Sequence, residues 1–224
     1  MADLVVDVVV IGGGPAGMSA ALVLGRARRS VIVVDAEQPR NRVVHESHGF
    51  LTRDGVSPTE LRAIARAQIA AYPSVRFERD TVTELTGENG AFTAQTRQGR
   101  TIRSRKVLFA TGKQDVLPAI DGLAAVYGRS AFVCPYCDGW ELRDWPQARQ
   151  LARNNVALYE GAIARIDHVD AQVSAVRLDD GTQVSCTGLF VALADVQSTG
   201  LPEQLGCRMT PAGSVHVADP GETS

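Results

Sequence analysis

Val5-Val6-Asp7-Val8-Val9-Val10-Ile11-Gly12-Gly13-Gly14-Pro15-Ala16-Gly17 is the stretch whose reading decides the fold. Val5 to Ile11 is almost unbroken apolar sequence rich in β-branched residues, which predicts a strand buried on both faces. Pro15 to Arg28 follows with small or apolar residues at Ala16, Ala20, Val23, Leu24 and Ala27, a helical stripe. Val31 to Val34 is a second buried strand, and it ends at Asp35, eighteen positions past Gly17. A bare G-x-G-x-x-G is weak evidence, but strand, glycine turn, helix, strand and acid in this order define a dinucleotide-binding βαβ unit. Gly12 permits the tight turn, Gly14 lets the backbone approach a pyrophosphate, and Gly17 lets helix and strand pack closely. Pro15 and Ala16 begin the helix whose N–H groups face the phosphates, and Asp35 is placed to accept from a ribose hydroxyl.

Composition narrows the alternatives. The 224 residues are 45% hydrophobic and 21% charged, which is the make-up of an ordinary globular protein and not of a disordered chain. A net charge of −2 offers no long-range attraction for a polyanion, so nucleic acid is not an expected partner. Leu4 to Ile11 contains Asp7 and runs straight into the glycine turn, which reads as a strand and not as a signal peptide. No apolar run is long enough to span a bilayer, so no membrane association is expected. Four cysteines, two of them closely spaced, do not make a secreted disulfide framework, and a cytoplasmic location is expected.

Those two cysteines form Cys134-Pro135-Tyr136-Cys137-Asp138. A C-x-x-C pair can close a small disulfide, and its turn activates one thiol as the attacking thiolate. Asp138 is placed to shuttle the proton. Half a zinc site is the competing reading, but Cys186 and Cys207 stand alone and no histidine lies at ligand spacing, so no metal is expected. His45, His168 and His216 read as surface or loop residues, and Cys186 and Cys207 as small buried hydrophobes.

Between these motifs, Ser57-Pro58-Thr59-Glu60 predicts a helix start with proline at the first position and a stripe of Leu61, Ile64, Ala65 and Ile69. Short strands are expected at Val75 to Phe77 and Val82 to Leu85. A hairpin pairs Phe92 to Thr96 with Thr101 to Ser104 across Gln98-Gly99, and a further strand from Lys106 to Ala110 ends in Thr111-Gly112. The pattern then repeats. Val173 to Leu178, Asp180-Gly181, and Gln183 to Cys186 lead into Leu189 to Leu193, while Val156, Leu158, Ile163 and Ile166 fall on Val75, Phe77, Val82 and Leu85. Two related units are therefore expected, the second with the cysteine motif where a strand, glycine loop and helix would stand.

In these residues the chain resembles the low-molecular-weight thioredoxin reductase family. The resemblance rests on Val8 to Gly17, on Ser47-His48-Gly49-Phe50-Leu51-Thr52-Arg53-Asp54-Gly55, on Phe109-Ala110-Thr111-Gly112, and on Cys134 to Glu141. It implies an α/β chain with a Rossmann-like FAD-binding domain and an inserted, shortened second nucleotide-binding-type domain that carries the C-x-x-C. The divisions expected are 1–113, 114–195 and an incomplete return segment, 196–224. Gly12, Gly14, Pro15, Ala16, Gly17 and Asp35 would bind FAD phosphates and ribose. Asn41 and His48 would approach the flavin ring, Thr111 and Gly112 would form a second FAD-contacting loop, and Val82 is counted with them. Cys134 and Cys137 map to the redox pair and Asp138 to the acid/base. Electrons would pass from NADPH through FAD to the disulfide, and on to a thioredoxin-like protein or a small disulfide. A homodimer is implied.

Two departures stand against that pattern. No second glycine loop for NADPH and no arginine-rich segment appears between Trp145 and Val156, where Arg149 and Arg153 are the nearest substitutes, and the chain stops at Gly221-Glu222-Thr223-Ser224 without the family's Gly-Asp motif. The rival expectations are therefore an NADPH-independent FAD dithiol oxidase and a non-catalytic flavin-binding fragment.

Overall fold

The computed structural model describes residues 4–140, 157 and 159–217. The sequence readings on Trp145, Arg149, Arg153, Val156, Leu158 and 221–224 lie outside the described residues. The chain divides into two compact units, one of 1–40, 59–114 and 195–224, the other of 41–58 and 115–194.

The first unit is built on three parallel neighbours. Strand β1 (Leu4–Ile11) feeds the glycine turn and helix α1 (Pro15–Arg26), and the chain returns as β2 (Val31–Val34). Helix α2 (Pro58–Ile69), with Glu60 in its first turn, precedes β3 (Val75–Glu78). A meander of β4 (Val82–Glu88), β5 (Ala91–Thr96) and β6 (Thr101–Phe109) completes the sheet, in the order β3-β2-β1-β6-β5-β4. α1 stops two residues earlier than its stripe suggests, because Arg28 takes a left-handed backbone at φ 57° and turns the chain toward β2.

β6 is one strand, not the two expected. Its first half pairs antiparallel with β5, Ile102 opposite Ala94, while Ile102 to Phe109 runs parallel to β1, ending with Phe109 opposite Ile11. The long strand serves both the hairpin and the parallel layer, so the change in side-chain character near Lys106 marks the end of the pairing with β5 and not a break in the strand. Val9, Ile11, Ile32 and Val34 pack with Val82, Leu85, Ala94 and Ile102 on one face of the sheet. Val10, Val31 and Val33 pack against Met18 and Ala21 of α1 and Ile69 of α2 on the other. Burying both faces explains the near-continuous apolar runs of β1 and β2.

The second unit repeats the meander. β9 (Ile163–Val169), β10 (Gln172–Leu178) and β11 (Gln183–Ser185) are antiparallel in sequence order. Short β12 (Leu189–Phe190) lies parallel to β8 (Ala131–Phe132), as β6 lies parallel to β1. Leu123, Val126, Ala131, Ile166 and Val173 form this unit's core, with Cys186 and Leu189 against it. Residues 41–58 group with this unit, although the sequence division leaves them with the N-terminal part. Gly128 shows the packing involved, since a Cβ there would come within 2.6 Å of the Val43 side chain. β7 (Lys113–Val116) and β13 (Ala194–Gln197) form a separate two-stranded sheet.

Candidate functional site

In the first unit, β1 has β2 on one side and β6 on the other, both parallel to it, so the carboxyl ends of the three strands lie together. The carboxyl ends of parallel strands are where α/β sheets of this kind bind ligands. The glycine turn after β1 and Ala110-Thr111-Gly112 after β6 lie side by side there. Gly12 donates to the Val34 carbonyl at 2.8 Å, and Ala110 donates to the Ile11 carbonyl at 2.8 Å.

The glycines of this turn separate by surroundings. Gly12 has φ +104°, and a Cβ there would overlap the Ala110 carbonyl. A Cβ on Gly17 would overlap the Gly12 carbonyl oxygen and come within 3.3 Å of the Ala110 Cβ. Gly13, to which the sequence reading gave no role, would set a Cβ 2.6 Å from an Asp35 carboxylate oxygen. Gly14 alone among the four has nothing within 4 Å. It is the N-cap of α1, with φ −74° and ψ −176°, and the first turn behind it carries no acidic side chain. Free N–H groups and the positive end of the helix dipole are thus left beside an unobstructed backbone. The donor set and the space both fit a pyrophosphate.

Asp35 is nearly buried at the end of β2 and is already engaged. Its Oδ2 is paired with Arg62 Nη2 and lies 3.6 Å from Arg66 Nη2, while Oδ1 accepts from the Glu37 N–H at 3.2 Å. Arg66 also pairs with Glu37 at 2.9 Å and sits 5.0 Å over the Phe77 ring, and Arg79 closes the network on Glu37 at 2.8 Å. The sequence reading missed these arginines. Arg62, Arg66 and Ile69 at i, i+4, i+7 on α2 were the available signal, a helical face that turns toward the acid-bearing strand end. The Val82 side chain is buried in the core of this unit. Asp80, at the turn into β4, shows the electrostatics that hold the meander. Burial by itself would raise its pKa, but a hydrogen bond from Thr96, the backbone N–H groups of Thr81 and Gln98, and the Arg100 charge outweigh this and bring it below the ordinary value.

In the second unit, Asn41 lies in a single 3-10 turn, Arg40–Val43, and its Nδ2 is 3.4 Å from Ser47 Oγ. His48 is half-buried, 3.6 Å from Glu46 and 3.7 Å from Asp54, inside a loop closed by a Ser47–Val56 bridge and by Gly49 N–H donating to Asp54 at 2.8 Å. Cys134 is the N-cap of a short helix, Pro135–Asp138, and its Sγ accepts from the Cys137 N–H at 3.2 Å. Neither thiol is in a disulfide; Cys137 is exposed and Cys134 half-buried, and Tyr136 between them is 98% exposed. Asp138 directly follows, half-buried, on the same turn. By contrast the Cys186 thiol is pushed up in pKa by burial, partly offset by a hydrogen bond to the Val176 backbone, and Cys207 is buried. Cys137, the one exposed cysteine of the four, has the access an exchanging thiol requires.

The chain belongs to the pyridine nucleotide-disulphide oxidoreductase family, whose model matches residues 6–149. A probable thioredoxin reductase of Arthroderma benhamiae is 41% identical over 146 residues, which are 62% of this chain and 36% of that protein. The chain thus spans little more than a third of that relative's length. A thioredoxin reductase of Gibberella zeae is 25% identical over 298 positions, covering 96% of this chain and 86% of the relative. That span exceeds the 224 residues available, so it crosses internal stretches that the relative has and this chain lacks. Among solved structures, a thioredoxin reductase from Bacillus anthracis described as putative superposes with a TM-score of 0.88 at 32% identity, over 98% of this chain and 86% of that one. The α/β fold with a parallel, Rossmann-like core is that of this family.

Proposed function

We propose that the chain is a flavin-dependent disulfide oxidoreductase, with FAD held by the first unit and the Cys134–Cys137 dithiol as its exchange centre. The observation that carries the cofactor reading is the glycine turn, three of whose glycines are closed by packing while Gly14 faces open space at the head of α1. FAD would be cradled by Gly12, Gly14, Pro15, Ala16 and Gly17 at its pyrophosphate, by Asp35 at a ribose hydroxyl, and by Thr111 and Gly112 along the neighbouring strand end, with the Val82 backbone as a further contact. Bound there, FAD would supply two-electron chemistry at the dithiol.

The protein's own part is thiol exchange. The Cys134 or Cys137 thiolate attacks one sulfur of the substrate disulfide, the other substrate sulfur leaves as a thiolate, and the second cysteine resolves the mixed disulfide. The substrate gains two electrons and two protons, and the Cys134–Cys137 disulfide is formed. Asp138 takes or gives one of these protons, being placed on the same turn. The Cys137 N–H bonded to Cys134 Sγ restrains the Cys134 sulfur against rotation.

NADPH is the electron source that the reductase reading requires, and a thioredoxin-like protein or a small disulfide is its acceptor; a cytoplasmic homodimer goes with this reading. A second reading is favoured by a specific observation. Among the described residues, the second unit has no glycine turn leading into a helix of α1's length, and the alignment with the Gibberella zeae relative crosses stretches this chain lacks. In that reading a small dithiol is oxidised to a disulfide, and its two electrons pass through the Cys134–Cys137 pair and FAD to dioxygen without NADPH. Anaerobic addition of NADPH and of dithiothreitol to the flavin-loaded protein separates the two, since only the reductase bleaches with NADPH. A protein that purifies and reconstitutes without flavin would instead be a fragment without this chemistry.

A further inference from the structure

Asp35 is the acid expected to hold the adenosine ribose, yet its carboxylate is not a free acceptor. Arg62 Nη2 takes one oxygen, Arg66 Nη2 lies 3.6 Å from the same oxygen, and the Glu37 N–H takes the other at 3.2 Å. The Gly13 backbone backs the group so closely that a methyl would lie 2.6 Å from it. The acid is thus fixed from two elements, α2 and the turn after β1.

This arrangement is a poor device for stability. Asp35 and Arg62 are both largely buried, and the Nε atoms of Arg62 and Arg66 are buried with no hydrogen-bond partner. A buried ion pair with unsatisfied donors contributes little net stability, because desolvation offsets its attraction. Its return is orientation. A carboxylate has about four lone-pair positions, and with the guanidinium on Oδ2 and the Glu37 N–H on Oδ1 a position of Oδ1 remains for a hydroxyl. Arg66 is held in turn by Glu37 at 2.9 Å and by the Phe77 face, which keeps the second guanidinium from replacing the first.

We propose that Arg62 is a positioning residue for the cofactor site, holding the Asp35 carboxylate in the one orientation that accepts a ribose hydroxyl of FAD. This rests on the FAD reading above. Arg62 does not touch the cofactor; it acts through Asp35, so its effect exists only while Asp35 can accept.

The test is a double-mutant cycle on FAD binding, read by flavin fluorescence in the full chain, with wild type, Arg62→Met, Asp35→Ala and the double variant, and with melting temperature followed in parallel. Arg62→Met is expected to weaken FAD about tenfold, the cost of one misplaced charge-assisted hydrogen bond. In the Asp35→Ala background, which has no acceptor to orient, the same change is expected to add less than about twofold. Arg62→Lys keeps the charge without the fork; it is expected to weaken FAD about threefold and to show the same loss of effect with Asp35→Ala, so the cycle can be closed even where Arg62→Met does not fold. Equal weakening by the Arg62 variants with and without Asp35 would overturn the inference, as would wild-type FAD affinity in both. A wild-type protein that takes up no FAD is a different failure, since it overturns the cofactor reading and this inference with it.

Discussion

A single methyl group placed at two positions of one turn separates packing from binding. At Gly17 a Cβ would overlap the Gly12 carbonyl oxygen and lie 3.1 Å from its carbon. Both neighbours are backbone, so α1 must move off β1. Overpacking of this kind costs about 1–3 kcal/mol, which for a chain of this size lowers Tm by roughly 2–12 °C. At Gly14 the methyl meets nothing within 4 Å, and φ −74° suits alanine. Alanine is a poorer N-cap than glycine by several tenths of a kcal/mol, and the lost unfolded-state entropy offsets about 0.4–1 kcal/mol. Gly14→Ala should therefore melt within about 2 °C of wild type. Its methyl would stand where a pyrophosphate approaches, and a clash of about 1–3 kcal/mol weakens FAD roughly 5- to 150-fold. Gly14→Val should abolish retention and give a colourless protein. Thermal melts followed by circular dichroism, with FAD titrations on the same samples, read both axes. Wild-type FAD affinity in Gly14→Val, or an unshifted Tm in Gly17→Ala, would refute the assignment of these roles.

Cys134→Ser and Cys137→Ser should each abolish disulfide exchange, measured by reduction of 5,5'-dithiobis(2-nitrobenzoate), and leave FAD binding unchanged; turnover in either variant would remove the dithiol from the mechanism. Asp138→Asn should slow exchange about 10²-fold or more near neutral pH and still permit the disulfide to form, whereas a pH profile matching wild type would leave Asp138 as a turn residue. Asp80→Asn should destabilise the protein above the ordinary carboxylate pKa. Because the folded-state value is lowered, the unfolded chain binds more protons as pH falls, so the difference from wild type in urea unfolding should shrink through the acid range, and a constant difference down to acid pH would refute it.

The βαβ unit was legible because each signal in it is local. Turn glycines, a proline at the helix start and two β-branched runs all act within a few residues of where they stand. The repeat was legible for the same reason, since hairpin turns at Gly99 and Gly181 fix their own registers. What the sequence did not disclose depends on tertiary neighbours. The Asp35–Arg62 pair joins positions 27 apart through the placement of α2 beside β2. The unity of β6 depends on which strands flank it, and the grouping of 41–58 with the second unit depends on packing such as Gly128 on Val43. The packing of Gly13 against Asp35 is likewise invisible in a motif that leaves its middle glycine without a role.

Anaerobic reductive titration of the FAD-loaded chain, compared with its Cys134→Ser variant, addresses the central claim most directly. A flavin working with a Cys134–Cys137 disulfide takes up roughly four electrons per chain, two at each centre, and the variant roughly two. Equal uptake by the two proteins, or a wild-type chain that holds no flavin to titrate, would contradict the account.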